Sequence, residues 1–256
     1  MKNSYKEKKF WKPQGYCKQP NIDIRKIHQG IIRVKVEGHW DNYQVQKLPD
    51  TFFKWSINER LKMLKRIKSS EALSLAGSHN GIVATCGGLR YDTQFSINCA
   101  VKGMGFLPKK DKLENVLGLL KSTINDDFIK KLAILENLYN CADEIFDQTK
   151  QVSLELYSTP DFETHTFINQ MTDPRVAIVF LDIPSFEIKA IAQLIHPNDP
   201  TLSQYERSIV DFVNTVHDYF HSRSPRQSIT VVYHVVEVFD NTPGKARGQR
   251  ISPPLA

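Results

Sequence analysis

The segment Glu163–Ile183, which reads ETHTFINQMTDPRVAIVFLDI, decides how the fold is interpreted. Its first half is amphipathic, and a helix there is expected to stop at Asp173, because a proline disfavours helical backbone in the residue before it. The residues that follow, 176–181, are all apolar, which is typical of a strand covered on both faces. The segment therefore predicts a short helix followed at once by a buried strand.

The segments on either side add further strands and helices to this unit. Alternating or continuous apolar residues predict strands over 31–38, 82–86, 91–101, 151–158, 175–183, 186–195 and 228–239. Apolar residues at helical spacing predict helices over 56–76, 111–148, 161–173 and 203–222. Ser56 and Ser203 are expected to cap two of these helices, and Gly87-Gly88 is expected to turn a hairpin.

This order of elements resembles the pyridoxamine 5′-phosphate oxidase-like family of FMN-binding split β-barrels, mainly over residues 151–239. The resemblance rests on the opening segment and on FEIKAIAQLIHPNDP, which follows it. The matching residues are Asp173, Pro174, Ala192, Leu194 and Ile195. The resemblance implies an α+β fold with a split β-barrel core, whose interior is filled from alternate strand residues while helices or a second subunit cover the outside.

The chain is expected to have three parts. Residues 1–80 form a basic arm with a strand–helix extension, 81–240 form the split-barrel domain, and 241–256 form a basic tail. The helical pattern over 111–148 is expected to be an insert between strands of the barrel domain.

The resemblance also implies where a cofactor would bind. In relatives, basic and hydroxyl side chains near the second barrel strand, and before the Asn/Asp-Pro stop, hold the FMN phosphate, because they combine charge-assisted and neutral hydrogen bonds. The corresponding candidates here are Arg90, Ser158, Thr159, Thr164, His165 and Thr166. Thr166 stands where relatives often carry a lysine. Each candidate also has an alternative role: the hydroxyl groups could cap helices, Arg90 could lie in a solvated turn, and His165 could be structural.

The function implied is that of a flavin-dependent oxidoreductase acting on a small molecule. Such barrels usually form homodimers with the flavin between the subunits, and the flavin ring carries the hydride or electrons. No catalytic residue is identified by spacing. The alternative is a split-barrel module that is cofactor-free, or binds haem, and has a macromolecular or regulatory partner. Thr166 in place of the lysine favours that alternative.

Composition limits the other classes of function. The formal charge is +6, and much of the excess lies at the ends, at Lys2, Lys6, Lys8, Lys9, Lys12, Lys18, Lys245, Arg247 and Arg250. Basic ends can bind a polyanion such as nucleic acid, but this modest charge does not favour it. No apolar run approaches the roughly 20 residues that span a bilayer, and no secretory signal is apparent, so a cytoplasmic protein without a membrane partner is expected.

Metal binding is not expected either. The four cysteines are widely spaced, without the clusters that hold zinc. His217 and His221 share one helix face and could ligate a metal, but no third ligand is apparent.

Overall fold

The computed structural model describes residues 10–221, 224–244 and 248–254. These residues form an α+β fold with six α-helices and two antiparallel sheets, of three and seven strands. The strands are β1 (Ile22–Asp23), β2 (Ile31–Val36), β3 (His39–Gln44), β4 (Asn80–Thr85), β5 (Asn98–Gly103), β6 (Lys150–Glu155), β7 (Arg175–Phe180), β8 (Phe186–Ile195), β9 (Ile229–Asp240) and β10 (Gln249–Ser252). The helices are α1 (Asp50–Lys68), α2 (Leu113–Thr123), α3 (Phe128–Asn140), α4 (Ala142–Ile145), α5 (His165–Thr172) and α6 (Gln204–Phe220).

The large sheet has the order β10-β9-β8-β7-β4-β5, and β6 also pairs with β9. Its two ends, β5 and β6, are not joined by a continuous ladder, so the sheet is not a closed barrel. They do approach at one point, where Gly105 and Val152 exchange backbone hydrogen bonds of 2.8 and 2.9 Å.

The helix and strand of the opening segment are present, but the helix begins at His165, four residues later than predicted. Thr164 caps α5 by accepting a hydrogen bond from the Phe167 backbone N–H at 3.1 Å, and β7 begins directly after Pro174. However, β7 buries only one face completely, and Leu181 is 63% exposed beyond its end. The strand that is buried on both faces over most of its length is β8, where Ile191 packs against Ile32 and Val34 of the small sheet.

The start of α1 differs from the prediction. Ser56 does not cap this helix but lies buried within it, and α1 begins at Asp50. The reason is tertiary packing, because Phe52 in the first turn contacts Phe180 and Phe186, with ring centroids 5.3 Å apart in each pair. Burying an aromatic side chain of this size stabilises the extra turn.

The predicted turn at Gly87-Gly88 is also wrong. β4 and β5 do pair, but a long loop, residues 86–97, connects them. The two glycines instead allow this loop to approach α5. A Cβ at Gly88 would lie 2.3 Å from Cγ2 of Ile168, and the Gly88 N–H donates to Oδ1 of Asn169 at 2.8 Å.

The helical pattern over 111–148 corresponds to α2, α3 and α4. α2 packs against α6 and α3 packs against α1, so these helices cover one region of the sheet with a continuous apolar interior. Leu120 and Leu132 are fully buried in it. The segment expected to be a tail contains β10, which extends the sheet beside β9.

The segment before β1 is held against α5 and β8 by side-chain hydrogen bonds. The buried Gln19 donates from Nε2 to the carbonyl oxygens of Gln170 (2.8 Å) and Ala192 (2.9 Å), and its Oε1 accepts from the Leu194 N–H at 3.0 Å. The ring of Trp11 stacks on that of Phe167, with centroids 5.6 Å apart. This segment is therefore part of the packed structure.

Most of the basic residues at the two ends of the chain fall outside the part that the structure describes. Of the basic terminal residues, Lys2, Lys6, Lys8, Lys9, Lys245 and Arg247 lie outside the described residues. Across residues 10–221, 224–244 and 248–254, no helix combines the length and the apolar character needed to cross a lipid bilayer.

Candidate functional site

A groove of about 550 Å³ lies beside β5, and we call it the β5 groove. It is bounded by β5, by the loop 86–97, by Tyr157 and by the N-terminal end of α5. The residues that line it are Arg90, Asp92, Thr93, Phe95, Ile97–Lys102, Tyr157, Thr164, His165 and Thr166. The fold thus brings residues that are far apart in the sequence to one side of β5.

Four of the six predicted cofactor-binding residues line this groove, namely Arg90, Thr164, His165 and Thr166. The other two, Ser158 and Thr159, line a separate cavity of about 300 Å³ near Trp11. The two groups of candidates therefore line different cavities, although Ser158 and Thr164 are in hydrogen-bond contact.

Ser158 and Thr159 have local structural roles. The Ser158 hydroxyl donates to the Glu155 carboxylate at 3.2 Å and accepts from the Thr164 backbone N–H at 3.1 Å. The Thr159 hydroxyl accepts from the backbone N–H groups of Asp161 and Phe162, at 3.2 and 3.1 Å, which stabilises a turn.

The candidates on α5 also contact the surrounding protein. His165 is buried, and its Nε2 lies 2.9 Å from the carbonyl oxygen of Gly88, so the ring carries a proton on Nε2 and donates it to that oxygen. The Thr166 hydroxyl accepts from Nδ2 of Asn98 at 2.8 Å. These bonds hold the loop 86–97 and the start of β5 against α5.

Two ion pairs determine the charge of the groove. The guanidinium of Arg90 donates to both carboxylate oxygens of Asp92, at 2.7 and 2.5 Å, and this contact lowers the pKa of Asp92. Nζ of Lys102 lies 2.7 Å from the carboxylate of the buried Glu155. With His165, the groove has three basic groups near two carboxylates. A bound phosphate would therefore compete with Asp92, which is exposed, for Arg90.

The groove is surrounded by exposed apolar side chains. Leu89, Tyr91, Phe95, Ile97, Val101 and Tyr157 are all between 65% and 72% exposed. Exposed apolar side chains in such number mark binding surfaces more often than ordinary surface. The basic groups suit a phosphate and the aromatic side chains suit a planar ring, so the residues present fit a phosphorylated aromatic cofactor.

Sequence reasoning missed the residues that organise this site. Lys102 belongs to the groove, but a lysine in a strand of mixed pattern gave no sign of it. Asn169 is completely buried in α5 and donates from Nδ2 to Oγ1 of Thr85 (3.1 Å) and to the carbonyl oxygen of Ser96 (3.0 Å). A polar residue on the buried face of an amphipathic helix was the available signal for it.

The two histidines near the end of α6 lie side by side. The rings of His217 and His221 lie 4.8 Å apart between centroids. In the part of the chain that the structure describes, no group of three or more potential metal ligands is present.

Comparison with known proteins adds no family to this description: no protein-family model matches the chain, and no curated protein matches it significantly.

Proposed function

We propose that this protein is a flavin-dependent oxidoreductase of the split-barrel type, which acts on a small molecule as a homodimer. The observation that carries the proposal is the β5 groove. It joins Arg90 and the N-terminal end of α5 to a set of exposed aromatic and aliphatic side chains.

The path of the sheet supports the split-barrel part of the proposal. Six strands follow one another in the order β5-β4-β7-β8-β9-β6, and all of their pairings are antiparallel. The bridge between Gly105, two residues after β5, and Val152 of β6 brings the two ends of this path within hydrogen-bonding distance. A small barrel requires this kind of approach between its end strands.

The homodimer is supported by the outer face of β5. β5 ends the sheet, and exposed residues alternate along it with half-buried ones. Proteins usually protect such an edge with charged residues, whereas Val101 is apolar and exposed here. A second copy packed on this face would cover the apolar side chains and exclude water from the β5 groove.

The residues of the groove suggest separate roles. Arg90 and Lys102 would hold the FMN phosphate, assisted by the N–H groups at the start of α5. Phe95 and Tyr157 would contact the ring and orient it. His165 would position the loop that carries Arg90, through its hydrogen bond to Gly88. FMN, when bound, supplies the hydride or electron transfer itself.

The test is a titration of the purified protein with FMN, followed by flavin fluorescence and visible absorption. We expect saturable binding, and we expect Arg90→Ala to weaken it tenfold or more, since a charge-assisted hydrogen bond contributes about 1.5–3 kcal/mol. Arg25→Ala is the matched control, because Arg25 makes the same two-bond contact with Asp23 at an exposed site. Absence of FMN binding, or equal effects of the two substitutions, would refute the proposal.

A second candidate is the cofactor-free, or haem-binding, module with a macromolecular or regulatory partner. The observation that favours it is that Arg90 and Lys102 already contact carboxylates. The same spectra distinguish the candidates. A Soret band on addition of haemin would indicate the haem-binding form, and no spectral change with either compound would favour the cofactor-free form.

A further inference from the structure

A second cavity, of about 360 Å³, lies among α1, α3, α6 and β6, and we call it the insert cavity. Its wall is mostly apolar and includes Met63, Leu135, Leu138, Phe146, Val213 and Val216. None of its lining residues also lines the β5 groove. A cavity of this size and composition is typical of sites for small apolar ligands.

The polar groups of the insert cavity are unbalanced in charge. The ionisable side chains that line it are Arg60, Tyr139 and three histidines, His79, His217 and His221. Among the described residues, no aspartate or glutamate lines it. The nearest carboxylate to these groups in the described contacts is that of Asp218, 3.4 Å from Nδ1 of His217. Burial, followed by the nearby charge of Arg60, lowers the pKa of His79 to about 4, so that ring is neutral near pH 7. The fixed positive charge in the cavity is that of Arg60, and it favours an anion.

Arg60 is the most informative of these groups. Its side chain is only 2% exposed, and its Nη2 donates to the carbonyl oxygens of Ser78 (3.0 Å) and Met104 (2.8 Å). The guanidinium lies 5.2 Å from the centroid of the Phe106 ring, which gives a cation–π contact. Nη1 reaches the Tyr139 hydroxyl at 3.4 Å, but among the described residues Nε has no hydrogen-bond acceptor and no carboxylate forms an ion pair with Arg60.

A buried guanidinium without a counter-ion is unfavourable unless a negative charge is supplied from elsewhere. Carbonyl oxygens and aromatic faces compensate only part of its charge. The protein does not supply a carboxylate at this position, while the cavity beside it has room for about twelve water volumes. The missing negative charge and the apolar space therefore lie next to each other.

We propose that the insert cavity binds a single-chain aliphatic carboxylate of medium length. Its carboxylate lies against Arg60 and His79, and its chain lies along the apolar wall formed by α3, α6 and β6. The charge and the apolar character of the site both select this ligand class. The proposal is independent of the proposed flavin chemistry, since the two sites share no residue.

Calorimetric titration of the full chain with decanoate, dodecanoate and decan-1-ol tests this proposal. Decanoate is expected to bind at one site, at least tenfold more tightly than decan-1-ol, because the alcohol lacks the charge that Arg60 requires. Dodecanoate is expected to bind roughly fifteenfold more tightly than decanoate, since each methylene adds about fourfold. Equal affinities for the acid and the alcohol, or no binding of decanoate, would overturn the proposal.

Substitutions locate the site. Arg60→Met should weaken decanoate binding at least tenfold, whereas Arg66→Met, an exposed position on the same helix, should leave it unchanged. Val216→Trp should abolish binding by filling the cavity while Arg60 stays intact. If Arg60→Met lacks a folded state, because the carbonyl groups of Ser78 and Met104 lose their donor, the proposal is tested by Val216→Trp and by the comparison of decanoate with decan-1-ol. Unchanged binding by Val216→Trp would contradict the proposed location.

Discussion

His234 makes the stability of the fold depend on pH in a way that can be calculated. It lies in β9, is 3% exposed, and its Nε2 is 2.9 Å from Oε1 of Gln193. Burial of the ring, followed by the positive charge of Lys150, lowers the pKa of His234 to about 3, although Asp147 acts in the opposite direction. The ring is therefore neutral in the folded protein throughout the range from pH 5 to pH 7.

The sign of the effect follows from the unfolded chain, in which the pKa of a histidine is about 6.5. The pKa in the folded protein is lower than this, so above about pH 6.5 the ring is neutral in both states and His234 causes no loss of stability. As the pH falls below that value, the unfolded state takes up a proton that the folded state does not. Stability is then lost by about 1.4 kcal/mol per pH unit, or about 2 kcal/mol between pH 7 and pH 5.

The assay is urea denaturation of the protein and of His234→Gln at pH 7, 6 and 5. The unaltered protein is expected to lose about 2 kcal/mol more than the variant across this range. Other buried histidines, such as His196, whose pKa burial lowers to about 4, contribute equally to both proteins and cancel. His39→Gln, at an exposed position in β3, is the control and should keep the full pH dependence. The reasoning fails if His234→Gln keeps it too.

Three further substitutions test local features. Gly88→Ala should destabilise the protein by about 1–3 kcal/mol and weaken the proposed FMN binding, because the new Cβ would collide with Ile168. A variant with the same melting temperature as the unaltered protein would contradict the close approach. Val101→Glu should convert the proposed homodimer to a monomer in sedimentation experiments, and an unchanged mass would exclude the β5 face as the interface. Ser203→Ala should cost about 1 kcal/mol in urea denaturation, since it removes the capping box with Glu206; a loss near zero would show that the box contributes little.

The C-terminal third could be predicted from the sequence because its elements are marked locally. Asp173-Pro174 ends α5 and Ser203 caps α6, as expected. β7, β8 and β9 also lie within a few residues of their predicted positions. Caps, prolines and apolar runs act over a few residues, so they are visible in the sequence alone.

Other features depend on contacts between distant residues, and the sequence does not show them. The early start of α1 depends on Phe52 packing against β7 and β8, and β10 exists because β9 offers it an unpaired edge. The position of Arg90 depends on Gly88 reaching Asn169, 81 residues away. Four of the six residues named from the family resemblance line the β5 groove. It did not reveal the ion pairs of Arg90 and Lys102, which require the folded arrangement.

The hydrogen bonds of Gln19 have a consequence for the order of events during synthesis. Its partners, Gln170, Ala192 and Leu194, are 151 to 175 residues further along the chain. A ribosome makes a chain from its N-terminus, so the segment around Gln19 emerges before its partners and must remain without them until β8 has been made. This early segment is therefore among the last to dock, and a nascent chain halted before β8 would leave it accessible to chaperones and proteases.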